Sequence, residues 1–397
     1  MSHDNRIDLV RPDAPELAGY GPRPVGVRTI EAVNPGQIDV LNIRDGAPWP
    51  RYDRPMTFEI WYPAAGGGEG CSYETLLRDG HTEATLFGRA VRNAEPDRSG
   101  GPCPVIVISH GYPGNRHLMS HFGENLASKG FVCVSIDHTD SLYQDKADFA
   151  STLVNRPLDQ KFALDEIERL SNTEGGFLSR LADVSRAGLI GYSMGGYGAL
   201  LSAGAGLSGK TVNDPEVAPA GLLAMHAAGS ASYEAMLDSR FKAAVAIAPW
   251  GMARGIWDAA GLAGLRIPLM AIAGSMDDVS GYENGVKAIH EGAVNTARHL
   301  LTFHTAGHNV AAPIPAPLES WTPSPHLDFV PFQHYGDPVW DTVRMNNIAQ
   351  HFATAFFGRF VNDQNQMARY LDIAEEPHEG WPGFAENTAR GLTFQRS

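Results

Sequence analysis

From residue 104 onward, unbroken apolar runs alternate with segments of helical period. The runs are VIVISHG, FVCVSIDH, SRAGLIGYS, FKAAVAIAPW, IPLMAIAGS and HLLTFHTAGH. A strand that is apolar without alternation is one covered on both faces, as in a parallel sheet. Between the runs, the segment 116–129, stopped by Gly130, reads as a helix. So do 159–170, with Phe162, Leu164, Ile167 and Leu170 as its apolar set, and MGGYGALLSAG. Strands alternating with helices over 104–308 predict an α/β fold: a doubly wound, mainly parallel sheet with helices on both faces. HLLTFHTAGH reads as the last strand, and an amphipathic helix over 339–360 packs back through Val343, Ile348, Phe352 and Phe356.

Upstream the pattern is different. MTFEIWYP, at 56–63, alternates and ends in proline, as an outer strand does. Residues 1–55 are rich in proline and glycine, with short extended stretches (VGVRTI, QIDVLNI), and read as an arm or edge strands. AAGGGEG opens an excursion that closes near RSGGPCP. Lid-like insertions are expected at about 203–240, with a short helix in GLLAMHAAG, and at 313–338. The second is Pro-rich and aromatic; Trp321, Phe329, Phe332, Tyr335 and the adjoining Trp340 read equally as a lid or as core beneath a long loop. The expected division is thus an arm (1–55), one domain (56–360) and a C-terminal extension (361–397) packing on it.

Composition narrows the partners. With 43% hydrophobic residues in 397, the chain can bury a large core. A net charge of -14 argues against nucleic acid or an acidic membrane surface. The apolar runs are strand-sized, so no membrane insertion is expected. Cys71, Cys103 and Cys133 cannot all pair and match no metal spacing, which points to a reducing compartment. With no basic segment followed by an apolar one near the N-terminus, a cytoplasmic location is expected.

The chemistry lies at the ends of the predicted strands. Gly191-Tyr192-Ser193-Met194-Gly195 matches G-x-S-x-G, a weak signal alone in a chain with 43 glycines. Its context adds weight: it follows an apolar strand and opens a small-residue helix, as a nucleophile elbow does. The N–H of Met194 would then face the negative charge that develops during acyl transfer. A second donor is expected from Ser109-His110-Gly111-Tyr112, where Gly111 frees the backbone and Tyr112 supplies the N–H. An acid should follow a later strand and a histidine the last one. Asp277 and Asp278 both follow IPLMAIAGS, with Asp277 favoured, and His308 sits in the Ala306-Gly307-His308 turn. Asp137 and His138 end another strand on the same rim and read as loop-orienting. His117 and His121 stand four apart but lack a third ligand, and His299, His304 and His308 are unevenly spaced; no metal and no cofactor is expected.

From about residue 58 to residue 309 the chain resembles the serine-dependent, dienelactone-hydrolase-like branch of the α/β-hydrolases, whose neighbours include bacterial cutinases and polyester hydrolases and the platelet-activating-factor acetylhydrolases. The resemblance is carried by IWYP, VIVISHGYPGNR, LASKGFVCVSIDHTDS, GYSMGGYGALL, FKAAVAIAPW, PLMAIAGSMDD and AGHN. It implies the α/β-hydrolase fold, main-chain oxyanion donors at Tyr112 and Met194, Asp277 as the acid, and Trp250 as a wall of the acyl pocket beside Gly111 and Tyr192. The acetylhydrolases carry their acid at the end of the preceding strand, where this chain has Ala248. Dienelactone hydrolases proper use cysteine where this chain has Ser193. The expected activity is hydrolysis of a small carboxylic ester with an apolar or aromatic group. The triad is blind to the leaving group, so an amidase or acyltransferase stays open. A non-catalytic binding protein on this fold would need a broken triad.

Overall fold

The six apolar runs become six adjacent parallel strands at the centre of a ten-stranded sheet. The computed structural model describes residues 5–44, 46–146, 149–217, 219–378 and 380–397. In chain order the strands are β1 (Val25–Ile38), β2 (Arg51–Pro63), β3 (Ser72–Leu76), β4 (Glu83–Phe87), β5 (Val91–Arg92), β6 (Cys103–Ser109), β7 (Val132–Asp137), β8 (Ala182–Tyr192), β9 (Phe241–Ile247), β10 (Leu269–Gly274), β11 (Arg298–Phe303) and β12 (Leu392–Arg396). The sheet runs β12-β11-β10-β9-β8-β6-β7-β2-β1-β5, and β3 and β4 form a separate hairpin. β7, β6, β8, β9, β10 and β11 are parallel, whereas β2 and β12 close the two sides antiparallel.

Burial on both faces explains the unbroken runs. In β6, Ile106 and Ile108 enter one core cluster while Val105 and Val107 enter the other. The four principal helices are α1 (Ser120–Ala127), α2 (Phe149–Asn172), α3 (Met194–Ser202) and α4 (Thr342–Phe360). Phe122 and Leu126 of α1 share the first cluster with Ile348, Phe352 and Phe356 of α4. Leu164 and Ile167 of α2 share the second with Leu200 and Leu201 of α3. Helices therefore cover both faces of the sheet.

Several expectations change. β2 is an inner strand between β1 and β7, because the N-terminal segment supplies a 14-residue strand outside it. The last strand is β12, from the C-terminal segment. α2 starts ten residues earlier than its apolar period suggests, since its first turns bury polar groups such as Asn155 and Arg156. In α4, Val343 is only half-buried, and Met345 takes a core place instead. GLLAMHAAG contributes to a kinked 3-10 turn, Pro219–His226. Among the described residues, no helix is long and apolar enough to cross a membrane.

The strand order reverses about β6, which has β7 on one side and β8 on the other. In such sheets the crevice lies beyond the carboxyl ends of the strands near that switch. Under it, Arg54 is buried in a fork on Asp159, at 2.9 and 3.0 Å, and reaches Asp140 at 3.0 Å. Breaking a buried pair strands a charge, so Arg54→Met should lower unfolding free energy by about 3–5 kcal/mol in denaturant titration. A loss below about 1 kcal/mol would show that the pair is dispensable.

Candidate active site

Ser193 sits between the end of β8 and the start of α3, with φ 52° and ψ -112°. This sparsely populated conformation lifts its side chain out of the turn. The close packing that enforces it leaves no room for a side chain at Gly195, where a Cβ would lie 1.9 Å from the Ser109 carbonyl oxygen. The Ser193 N–H donates to the Ile247 carbonyl at 2.9 Å, and the Trp250 N–H donates to the Ser193 carbonyl at 3.1 Å.

His308 Nε2 lies 3.0 Å from Ser193 Oγ, and its Nδ1 lies 3.0 Å from both carboxylate oxygens of Asp277. With Nδ1–H given to the carboxylate, Nε2 is free to accept the hydroxyl proton. Asp277 is buried, whereas its neighbour Asp278 is exposed, so Asp277 is the residue that meets the imidazole. Burial pushes the Asp277 carboxyl up. Hydrogen bonds from His308 and from the N–H groups of Ser280 and Val279 outweigh it and hold the carboxyl below its ordinary range. Ser280 Oγ donates to the Ala248 carbonyl at 2.8 Å, tying the acid loop to the end of β9.

The histidine turn has its own support. It passes so close to the end of β10 that a Cβ on Gly274 would lie 2.4 Å from the carbonyls of Ala306 and Gly307. Asp337 Oδ2 accepts from the Gly307 N–H at 2.7 Å. Asn309 Nδ2 donates to the carbonyls of Gln333 and Gly336 at 2.6 and 2.9 Å, and the Tyr192 hydroxyl donates to Asn309 Oδ1 at 3.1 Å. The 313–338 insertion is thus a buttress for His308.

Gly111, Tyr112, Tyr192, Ser193, Met194, Trp250 and His308 all line one cleft of about 820 Å³. Met194 is the first residue of α3, where the backbone N–H has no acceptor within the helix. The loop carrying Gly111 and Tyr112 is held from below: Arg156 donates to the His110 carbonyl at 2.7 Å, to the Gly111 carbonyl at 3.4 Å, and to Ser141 Oγ. With its carbonyls drawn towards Arg156, the loop can offer N–H groups to the cleft. Burial lowers the Arg156 pKa to about 9, which leaves it charged near neutrality.

A second serine–histidine–aspartate relay lies beneath that loop. His138 Nε2 meets Ser109 Oγ at 2.9 Å and His138 Nδ1 meets Asp159 at 3.0 Å. Ser109 is 0% exposed against 7% for Ser193, so of the two serines only Ser193 opens onto the cleft. Asp137 pairs with Arg116 and accepts from its N–H at 2.7 Å, orienting the same loop. His117 and His121 are buried, and burial pushes both pKa values down.

Trp250 forms one wall with Phe149 and Tyr112, as two edge-to-face contacts at 5.1 and 5.2 Å. Phe329 and Phe332 form part of the opposite side, whereas Trp321 is 62% exposed and Tyr335 and Trp340 are buried. The aromatic tract is therefore part wall and part core. No described residue of 203–240 lines the cleft. Sequence reasoning missed Phe149, Arg78, Arg156 and Asp337. Only Asp337, in a Gly-Asp-Pro turn, carried a local signal.

A family model described as PET hydrolase-like matches residues 87–213, which include Tyr112 and Ser193 but stop short of Asp277 and His308. Cutinase est1 of Thermobifida alba is 35% identical over 96 residues, 24% of this chain and 29% of the cutinase. Lipase 1 of Moraxella sp. (strain TA144) is 34% identical over 115 residues, 29% of this chain and 32% of the lipase. The chain thus spans about a third or less of these relatives' lengths. The ferulic acid esterase from Streptomyces cinnamoneus superposes with a TM-score of 0.61 at 18% identity, covering 99% of both chains.

The two acidic neighbours make a sharp test. Asp277→Asn should cut turnover of any substrate of the Ser193 centre by about 10⁴ through loss of the imidazole tautomer, against less than about tenfold for Asp278→Asn. The reverse order in steady-state kinetics would reassign the acid. Because the Asp277 pKa is lowered, its stabilisation is complete above the ordinary carboxylate range and is lost as pH falls through the lowered value. Asp277→Asn should therefore flatten the acid limb of unfolding free energy below about pH 4; an unchanged limb would contradict this. In fold the chain is an α/β-hydrolase; through residues 87–213 it is similar to the PET hydrolase-like family, and over 96 residues to bacterial cutinases.

Proposed function

We propose that the protein is a carboxylic ester hydrolase that works through an acyl-enzyme at Ser193. The observation that carries this reading is the continuous relay Ser193–His308–Asp277, opening onto an aromatic-walled cleft. The cutinase, lipase and PET hydrolase-like similarities support ester chemistry in particular.

In the first step His308 Nε2 takes the Ser193 proton as Oγ attacks the ester carbonyl. The negative charge on the carbonyl oxygen is met by the N–H groups of Met194 and Tyr112, fixed in place before reaction. Asp277 holds the imidazole orientation and stabilises its cationic form. His308 then protonates the departing alcohol, and in the second step it deprotonates the water that releases the acid. The wall of Tyr112, Phe149 and Trp250 receives the apolar or aromatic part of the substrate.

Ser193→Ala should reduce turnover of p-nitrophenyl esters by about 10⁵ or more and abolish labelling by a fluorophosphonate, with the thermal midpoint nearly unchanged. Substantial ester turnover in a folded Ser193→Ala protein would overturn the reading. Matched ester and amide substrates compared at equal concentration should show the ester cleaved faster; a faster amide would make the protein an amidase.

A further inference from the structure

Arg78 is a cation without a counter-ion inside the cleft. It stands in the loop between β3 and β4, the hairpin outside the main sheet, and lines the same cavity as Ser193 and His308. Among the described residues it makes no ion pair, and its buried Nη1 has no hydrogen-bond partner. Its guanidinium carbon lies 5.8 Å from the centroid of the Phe329 ring. Leaving a desolvated guanidinium nitrogen unpaired is costly.

None of the carboxylates around the cleft forms an ion pair with Arg78 among the described residues. Asp79 accepts from Thr82 Oγ1, Ser324 Oγ and the N–H groups of His81 and Thr82. Asp337 accepts from the N–H groups of Gly307, Val339 and Trp340. Asp277 is engaged by His308, and Asp278 is exposed at the rim, without an ion pair to Arg78.

The loop carrying Arg78 is built and braced. Ser324 ties it to the 313–338 insertion, and the His81 ring stacks on His326 at 3.7 Å. Asn115 Nδ2 donates to Thr75 Oγ1 at 2.7 Å and to the Leu76 carbonyl at 3.1 Å, anchoring the hairpin to the loop after β6. Burial first, then the positive charge of the neighbouring Arg78, holds the His334 pKa well below its ordinary value. Three anchors thus hold an unpaired guanidinium in the cleft that Ser193 also lines, where a planar fork suits a carboxylate.

We propose that the preferred substrate is a half-ester, with a free carboxylate that pairs with Arg78 while its ester carbonyl reaches Ser193. This rests on the ester-hydrolase reading above. A singly charged group is favoured over a phosphate dianion because Arg78 is the one Lys or Arg among the described lining residues. The aromatic wall and Arg78 would then bind the two ends of one molecule.

The test compares kcat/KM for the monoethyl esters of adipic, suberic and terephthalic acids with ethyl hexanoate, ethyl octanoate and ethyl 4-methylbenzoate, in which methyl replaces the carboxyl group. At least one half-ester should exceed its neutral partner by about tenfold or more, as a charge-assisted bidentate contact allows. Arg78→Gln should cut that ratio about tenfold, mainly through KM, and Arg78→Lys should retain part of it. A merely structural role would lower both members of each pair together and leave the ratio intact. No preference for any half-ester, or an unchanged ratio in Arg78→Gln, would overturn the inference. If Ser193 still takes the fluorophosphonate label and neutral esters still turn over, that failure is confined to Arg78. If labelling and all ester turnover are absent, the ester-hydrolase reading falls with it.

Discussion

The site depends on one strained residue. Holding Ser193 at φ 52° and ψ -112° costs about 1–3 kcal/mol, and the backbone there would relax if its neighbours allowed it. They do not. β8 feeds the residue from one side, α3 leaves it on the other, and the Ile247 carbonyl and Trp250 N–H fix both of its backbone polar groups. The same turn that stores the strain aims Oγ at His308 and starts α3 at the very next residue.

Support for this turn comes in layers that reach deep into the protein. The loop opposite Ser193 rests on the carbonyl contacts of Arg156, and beneath it lies the buried chain from Ser109 through His138 and Asp159 to Arg54. Such groups are costly in the low-dielectric interior unless each is satisfied, so their mutual geometry is narrowly defined. On the other side, Asp337 and Asn309 fix the histidine turn to the 313–338 insertion. That insertion also supplies Phe329 and Phe332 to the cleft and anchors the loop of Arg78. One irregular segment therefore joins the geometry of the His308 turn to the shape of the cleft.

What could be read from the residues was local. The parallel strands announce themselves because burial on both faces removes alternation, and Ser193, Asp277 and His308 each follow such a run directly. Asp277 is already the favoured acid in the sequence, and the structure adds its burial against His308 and the exposure of Asp278. β12 escaped notice because LTFQR is five residues long and half polar, paired along one edge only. Phe149, Arg156 and Arg78 were hidden for a different reason. Each acts across long sequence separations, and no spacing in the chain shows that a hairpin loop, the first turns of a helix and a strand end converge.

The central claim is that Ser193 becomes acylated. Rapid acid quench during turnover of a p-nitrophenyl ester, followed by peptide mass spectrometry, tests it most directly. The account predicts a burst of p-nitrophenol and a matching acyl mass on the peptide containing Ser193. Steady-state turnover with no acyl adduct on that peptide, or an adduct on another residue, would contradict it.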